Sequence, residues 1–180
     1  TGVELEVIVV DNNSADGSVE AIKKRFSKIT LLINRENIGF GRANNQGMSI
    51  ARGEKILLLN SDCFVTPTTI ATLEKAMRVI SDTQVAGCKL INPDGSIQPS
   101  YGYFPTLLRI ISLMFFVDNL PIVRRFCKSI HVRDETRYQR VTMVDWVMGA
   151  FVLIDRKVWE RAGGFDENYF MYGEEEEWMY

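Results

Sequence analysis

Short apolar segments alternate with helix-like segments over the first 90 residues, and this alternation is the feature that most constrains the fold. The predicted strands are Val7 to Val10, Ile29 to Ile33, Lys55 to Leu59 and Gln84 to Leu90. The segments between them predict a helix that is capped by Asp16 or Ser18 and runs to about Phe26, and helices at Arg42 to Ala51 and at Thr68 to about Ile80. Strands that alternate with helices at this spacing predict an α/β fold with a mainly parallel central sheet and helices on both faces.

Polar loops follow the first three predicted strands, at Asp11 to Ser14, Asn34 to Gly41 and Asn60 to Asp62. Ligands bind beyond the carboxyl ends of the strands in such sheets, so we expect these loops to line one binding edge. The Asp62 carboxylate is suited to hold Mg²⁺ or Mn²⁺ on a diphosphate, although a turn aspartate that caps the next helix is an equally good interpretation. The amide-rich loop at Asp11 suits a base or a ribose, but an ordinary strand-to-helix turn has the same composition.

The glycine pair Gly39 and Gly41 does not predict a dinucleotide-binding turn. The third glycine is missing, and Asn60 stands at the end of the following strand, where an acidic residue is expected. The two glycines instead suit a close approach of the backbone to a ligand, or a positive φ angle in the loop.

The charge balance and the cysteines exclude several classes of function. Twenty-one Lys and Arg residues stand against 23 Asp and Glu, a net charge of −2, which gives no reason to expect a nucleic-acid partner. Cys63, Cys88 and Cys127 lack the spacing of a disulfide framework or a metal site, which predicts reduced thiols and a cytoplasmic protein. The most apolar stretch, Ile110 to Val117, is shorter than the roughly 20 residues that a bilayer-spanning helix needs.

Residues 101–140 interrupt the alternation of strands and helices. They are first aromatic and apolar and then basic, with seven Lys or Arg residues against three acidic ones. Met114, Phe115 and Phe116 are interpreted as core residues rather than as a ligand platform. His131 has no partner at metal-ligand spacing, so we predict a surface or capping role for it.

Four consecutive glutamates, Glu174 to Glu177, form the most unusual local feature. Consecutive like charges repel, which raises the pKa of some of them. A solvated helix start is one interpretation, because acids in a first turn interact favourably with the helix dipole. The flanking apolar and aromatic residues, Tyr169 to Tyr172 and Trp178, favour a partly buried position in which a carboxylate acts as a base.

Taken in order, these motifs resemble the inverting glycosyltransferases of family 2, which have the GT-A nucleotide-sugar-binding fold, and especially the bacterial rhamnosyltransferase-like branch. The segments that carry the resemblance are Val9 to Ser18, Asn37 to Gly47, Leu57 to Asp62, Asn92 to Gly95, Val144 to Ala150 and Gly163 to Glu175. The resemblance implies that residues 1–180 are part of a single GT-A domain. Residues 1–100 would bind the nucleotide sugar, and residues 101–180 would form the acceptor side and carry the catalytic base.

The resemblance also implies a role for each matching residue. Asp11 would contact the nucleotide base, and Asp62, the last residue of a DXD-like motif, would hold a divalent cation, Mg²⁺ or Mn²⁺, on the donor diphosphate. Glu175 stands where the family has the Asp of its Glu-Asp pair and is the expected catalytic base, with Glu174 beside it. The expected donor-binding residues are Asp11, Asn13, Asn37, Gly39, Asn45, Asn60, Asp62 and Gly149, and the expected acceptor-side residues are Asp145 and Trp146.

The activity implied by this resemblance is metal-dependent transfer of a sugar from a dTDP-, UDP- or GDP-linked donor to a glycan or lipid-linked acceptor, with inversion at the anomeric carbon. Two alternatives stay open: a sugar nucleotidyltransferase, and a non-catalytic domain that keeps the fold for scaffolding or ligand binding. The apolar and basic residues 101–140 suit a lipid-diphosphate acceptor. We therefore expect a cytoplasmic location, with peripheral contact to the inner face of the cell membrane.

Three departures from the family pattern lower the activity expected of this segment. The family's first strand, with its Thr-Tyr-Asn-like nucleotide-contacting loop, would precede Thr1, and the Arg expected after the acidic pair either follows Tyr180 or is missing. Glu175 is one methylene longer than the usual Asp. We therefore expect this segment alone to bind its donor weakly and to turn over slowly.

Overall fold

The computed structural model describes residues 3–80, 82–117, 120 and 129–180. The strands within these residues are β1 (Ile8–Asp11), β2 (Thr30–Ile33), β3 (Lys55–Leu59), β4 (Val85–Gly87), β5 (Leu90–Ile91), β6 (Ile97–Gln98), β7 (Tyr101–Gly102), β8 (Trp146–Val147) and β9 (Phe151–Asp155). The helices are α1 (Ser18–Arg25), α2 (Phe40–Ile50), α3 (Thr69–Val79), α4 (Leu107–Met114), α5 (Arg156–Ala162) and α6 (Glu174–Met179), with a 3₁₀ helix at Glu135–Gln139.

Two strand ladders position the candidate site. Strands β1 and β2 are parallel, with Ile8 opposite Thr30. Strand β9 lies between β3 and β4 and is antiparallel to both, so β3 and β4 run in the same direction. The predicted parallel arrangement therefore contains a reversed strand. A parallel partner needs a crossover connection, whereas residues 88–148 leave β4 and return to β9 at the same end of the ladder.

The predicted fourth strand, Gln84 to Leu90, is divided in the structure. β4 ends at Gly87, and Leu90 begins a separate hairpin in which it pairs with Gln98. The turn of this hairpin is closed by a hydrogen bond from the N–H of Gly95 to the carbonyl of Asn92. Asn-Pro-Asp-Gly is a typical turn sequence, and here it closes a small separate ladder rather than ending the sheet strand.

A continuous apolar core lies between α2 and the β3–β9 ladder. Its buried members are Met48, Ile56, Leu58, Val152, Ile154 and Phe165. In β3 the buried side chains alternate, whereas β9 is buried from Phe151 to Ile154 because both of its faces are covered. The ends of β3 and β9 that carry the candidate site are therefore fixed by this core.

Helix α4 does not contribute the predicted core residues. Met114, Phe115 and Phe116 are 69%, 72% and 75% exposed, so their interpretation as core is wrong. The side of α4 that faces the protein carries Ser112, which is buried, and Arg109, which is bonded to the protein. The periodicity of an apolar helix indicates how wide its apolar face is, but not whether the protein covers that face.

Two remaining expectations concern the thiols and the membrane. Cys63 and Cys88 are free thiols, in agreement with the prediction, and Cys127 lies outside the described residues. In the part of the chain that the structure describes, no helix is both long enough and apolar enough to cross a bilayer.

Candidate active site

Side-chain amides join the first two polar loops. Nδ2 of Asn12 donates to the carbonyl oxygen of Gly39 at 3.1 Å, and Nδ2 of Asn34 donates to Oδ1 of Asn12 at 2.9 Å. Asn34 and Gln46 also exchange two amide hydrogen bonds of 3.0 Å each. The loop after β1, the loop after β2 and helix α2 therefore meet at one edge, as the sequence predicts.

Asp11 closes the turn at the carboxyl end of β1. The residue is only 6% exposed, and its Oδ2 accepts the N–H of Ser14 at 3.1 Å. Asn13 is exposed and has a φ of 68°, a left-handed conformation that Asn tolerates better than most residues. These contacts fit the turn interpretation of the loop, and the donor contacts of Asp11 and Asn13 stay predictions.

The loop at Asn37 to Phe40 is pinned to the aromatic segment that precedes α6. Oδ1 of Asn37 accepts the N–H of Gly39 at 3.0 Å, and the N–H of Phe40 donates to the carbonyl of Phe170 at 3.0 Å. Gly39 has a φ of 89°, and a Cβ at this position would lie 2.5 Å from the carbonyl oxygen of Phe170. Glycine is therefore required here by the backbone angle and by the close approach of a second chain segment.

Asn45 clamps α2 to the segment at residues 163–167. Its Oδ1 accepts the N–H of Phe165 at 2.8 Å, and its Nδ2 donates to the carbonyl of the same residue at 2.9 Å. The clamp needs a glycine before Phe165, because a Cβ on Gly164 would lie 2.4 Å from Oδ1 of Asn45. Both amide atoms of Asn45 are thus bonded to protein backbone, and its expected contact with a donor stays a prediction.

The four consecutive glutamates have different environments, because successive residues of a helix point about 100° apart. Glu174 is 1% exposed and lies against Gly41 of α2. Burial raises its pKa, and its Oε2 has no hydrogen-bond partner among the described residues. Burial also raises the pKa of Glu176, an effect that the nearby His131 opposes. Glu177 is exposed.

Glu175 lies against the junction between β3 and β9. Its Oε1 accepts the N–H of Gly149 at 3.0 Å, and a Cβ on Gly149 would lie 2.7 Å from that oxygen and 3.1 Å from Cζ of Phe40. The next residue, Ala150, accepts the N–H of Asn60 at 3.0 Å through its carbonyl. Two successive residues thus connect the Glu175 carboxylate to the first residue of the DXD-like loop.

Asp62 extends from this loop into solvent. Its side chain is exposed, and the structure describes no cluster of three or more His, Cys, Asp or Glu residues that is suited to a metal ion. A cation on a diphosphate takes most of its oxygen ligands from phosphate and water, so one protein carboxylate is sufficient. The exposed position of Asp62 at a strand end fits that ligand set.

Asp145, which is expected on the acceptor side, is bonded to Phe104 and Arg109. Its Oδ2 accepts the N–H of Phe104 at 2.9 Å and lies 3.6 Å from Nη1 of Arg109, which also donates to the carbonyl of Phe104. The next residue, Trp146, is buried, and its Nε1 has no hydrogen-bond partner among the described residues. The ring of His131, which is exposed as predicted, stands edge-on to Trp146 at 5.1 Å.

Several residues of this site were missed by sequence reasoning. Asn12, Asn34 and Gln46 form the amide network, and Phe40 contacts both the aromatic segment and the Gly149 turn. The density of amides in the first two loops was a usable signal for the network. The partners of Phe40 are more than 100 residues away, and no local pattern predicts such contacts.

A family model places the chain among known proteins. The model described as glycosyl transferase family 2 matches residues 1–139. The N-acetylglucosaminyl-diphospho-decaprenol L-rhamnosyltransferase of Mycobacterium tuberculosis is 30% identical over 95% of this chain and 58% of its own length. The O-antigen biosynthesis protein RfbC of Myxococcus xanthus is 28% identical over 96% of this chain and 13% of its own length. The chain thus spans a little over half of the mycobacterial relative.

Solved structures establish the fold. The mannosyltransferase PcManGT of Pyrobaculum calidifontis, solved with GDP-Man and Mn²⁺, superposes with a TM-score of 0.59 at 20% identity, over 96% of this chain and 40% of its own. GalNAc-T7, solved with UDP, GalNAc and Mn²⁺, gives a TM-score of 0.61 at 17% identity, over 97% of this chain and 34% of its own. The predicted fold class is confirmed. By its family match and its fold, this chain belongs to glycosyl transferase family 2 and has the GT-A architecture.

Proposed function

We propose that this chain carries the donor site and the catalytic base of an inverting, metal-dependent sugar transferase that uses a nucleotide-diphosphate sugar. The observation that carries this proposal is the connection from the Glu175 carboxylate through Gly149 and Ala150 to Asn60. The expected base and the loop of the expected cation ligand, Asp62, are thus tied to one junction between β3 and β9. Residues 1–100 bind the donor in this proposal, and residues 101–180 supply the acceptor side and the base.

Glu175 is the residue to which we assign proton abstraction. Because the N–H of Gly149 holds Oε1, the second oxygen of the carboxylate is left to accept the proton of an acceptor hydroxyl. The acceptor oxygen then bonds to the anomeric carbon while the bond from that carbon to the diphosphate oxygen breaks, and the electron pair leaves with the nucleotide. Attack opposite the leaving diphosphate inverts the anomeric carbon in one displacement.

Glu174 has a positioning role in this proposal. It is buried against α2 beside Gly41, so it fixes the rotation of α6 and with it the direction in which Glu175 points. Trp178 supports the same helix from its other end, since its Nε1 donates to the carbonyl of Gly163 at 2.8 Å.

Asp62 is the residue that would hold the divalent cation, Mg²⁺ or Mn²⁺. When bound, the cation would neutralise the charge that develops on the leaving diphosphate. Two solved structures of the same fold contain Mn²⁺ together with a nucleotide or nucleotide sugar, which supports this use of Asp62. Asp11, Asn13, Asn37, Gly39 and Asn60 line the edge where the donor would lie.

The acceptor in this proposal is a lipid-linked glycosyl diphosphate, and the donor is a rhamnosyl nucleotide. The support is the mycobacterial relative, whose name describes transfer of L-rhamnose to N-acetylglucosaminyl-diphospho-decaprenol. Asp145 would lie beside this acceptor and the buried Trp146 would support that side from within, since both begin the segment that leads to Gly149, which is bonded to Glu175. Such an acceptor places the reaction at the inner face of the cell membrane.

The test separates the base from the cation ligand. Glu175→Gln is expected to lower the single-turnover rate roughly 100- to 10,000-fold while leaving Mn²⁺-dependent nucleotide binding unchanged, because only proton abstraction is lost. Asp62→Asn is expected to weaken Mn²⁺-dependent binding itself. Transfer to the lipid-linked acceptor and calorimetric binding are measured with dTDP-, UDP- and GDP-linked donors.

Glu177→Gln is the matched control, because Glu177 is exposed on the same helix and is expected to leave both quantities unchanged. Unaltered turnover in the Glu175 variant would assign the base to another residue. A chain that keeps its fold but binds no nucleotide sugar under any of these conditions would instead favour the scaffold alternative.

A further inference from the structure

Helix α4 is amphipathic with its apolar side turned outward. Its outer face is formed by Leu107, Leu108, Ile111, Met114 and the adjoining Phe115, which share one side at helical spacing. Leu107 and Leu108 are 76% and 64% exposed, comparable to Met114 and Phe115. A surface helix normally buries such a stripe, so we expect the outer face of α4 to contact another apolar surface.

Polar contacts fix the inner face of α4 to the protein. Arg109 donates to the carbonyl of Phe104, pairs with Asp145 and lies 5.5 Å from the centre of the Tyr103 ring. Ser112 on the same side is 4% exposed. The helix therefore cannot rotate to bury its outer face without breaking these contacts, and the outward direction of the apolar stripe is built into the fold.

The charge of the sequence segment that contains α4 indicates what kind of surface covers this helix. Residues 101–140 contain seven Lys or Arg residues and three acidic ones, although the whole chain has a net charge of −2. Apolar residues accompanied by an excess of positive charge complement the surface of a bilayer that contains anionic lipid. The same charge disfavours contact with a second copy of this segment, because the two positive regions would repel each other.

We propose that the outer face of α4 docks on a membrane surface that contains anionic lipid. The proposal rests on the proposed function, since a lipid-linked acceptor requires the site to approach the bilayer. Asp145 joins α4 to the segment that leads to Gly149 and Glu175, so docking through α4 brings that segment toward the membrane. The helix is about 12 Å long and would lie in the plane of the interface.

Vesicle flotation tests this surface. The chain is mixed with phosphatidylcholine vesicles that contain about 30% phosphatidylglycerol, and with vesicles of phosphatidylcholine alone. The unmodified chain is expected to float with the anionic vesicles and less with the neutral ones. The double variant Leu108→Gln with Phe115→Gln is expected to lose at least about tenfold in partition, because two exposed apolar side chains no longer enter the interface.

Phe26→Gln with Val79→Gln is the matched control, because it removes two exposed apolar side chains, one just after α1 and one at the end of α3. This control is expected to float like the unmodified chain. Thermal unfolding checks that every variant is folded. Mn²⁺-dependent nucleotide binding is measured in parallel, and the α4 variant is expected to retain it.

Three results would overturn the docking surface. These are failure of the unmodified chain to float, flotation of the α4 variant equal to that of the control, and conversion of a dimer into a monomer by the α4 substitutions in size-exclusion chromatography. The third result would assign the outer face to a second copy of the chain. Absence of nucleotide binding from all variants would count against the proposed function, and the flotation result would still decide the docking surface.

Discussion

Helices α2 and α4 lie in the segments that we assign to donor binding and to the acceptor side, and they bury opposite kinds of side chain. α2 contains two glycines and several amides, yet it buries Met48 in the main core and clamps Phe165 through Asn45. α4 consists mainly of Leu, Ile and Met, yet it turns Arg109 and Ser112 toward the protein. The comparison teaches that specific polar contacts, rather than the apolar content of a helix, determine which side faces inward.

The largest effect is expected at the amino end of α2. Gly39→Ala should lower the free energy of unfolding by roughly 3 kcal/mol or more, because the residue has a φ of 89° and its new Cβ would meet the carbonyl of Phe170 at 2.5 Å. Urea denaturation measures the change. Gly95→Ala is the control, since Gly95 has a φ of 87° but open space around it. The free energy of unfolding of the Gly95 variant should fall by only about 1 kcal/mol. Equal losses at both sites would show that the close approach of Gly39 to Phe170 is unimportant.

The amide clamp should give the next largest effect. Asn45→Ala removes both hydrogen bonds to Phe165 and should cost about 2 kcal/mol, because two partly buried backbone groups lose their partners. Asn44→Ala, which removes only a bond to Phe40 within the same helix, should cost less than about 0.5 kcal/mol. Thermal unfolding compares the two variants. A clamp variant as stable as the Asn44 variant would contradict the role given to α2.

Removing the contacts of Arg109, which attach α4 to the protein, should lower the free energy of unfolding less than removing the Asn45 clamp. Arg109→Met removes the bond to Phe104 and the pair with Asp145, and should cost about 1–2 kcal/mol because these groups are partly buried. Arg78→Met removes an exposed pair with Glu74 on α3 and should cost less than about 0.5 kcal/mol. Hydrogen exchange should show faster opening of α4 in the Arg109 variant. Unchanged exchange there would mean that α4 is held by something else.

The smallest effect is expected on the outer face of α4, and it tests the comparison of α2 with α4 most directly. Leu108→Gln should change the free energy of unfolding by less than about 0.5 kcal/mol, since this side chain is already in water. Met48→Gln on α2 should lower the free energy of unfolding by about 2 kcal/mol, because Met48 is buried in the core. Chemical denaturation of both variants gives the contrast. Strong destabilisation by the Leu108 change would mean that the outer face of α4 is covered within the chain itself.

The sequence was most informative where strands end in polar loops. The positions of β1, β2 and β3, and the meeting of the Asp11 and Asn34 loops, follow from local apolar runs and from the geometry of α/β sheets. The contact of Glu175 with Gly149 joins segments 26 residues apart, and only the resemblance to a family brought those residues together beforehand.

Other features depend on partners that are distant in the chain. The direction of α4 is determined by Asp145, which lies 36 positions after Arg109, so the composition of the helix pointed to the wrong side. β9 runs against β3 and β4 because of the path that residues 88–148 take, and the apolar content of a strand carries no information about direction.

The path of residues 88–148 determines where the fold can accept insertions and deletions. The excursion begins beside Gly87 and ends just before Gly149, and Gly87 is paired with Val152 in the ladder. Its two ends are therefore held together by the sheet itself, and the entropy of closing a loop rises only slowly with its length. Under the proposed function, insertions, deletions or whole exchanges within this excursion would therefore change which acceptor receives the sugar, while the Glu175 carboxylate keeps its contact with Gly149.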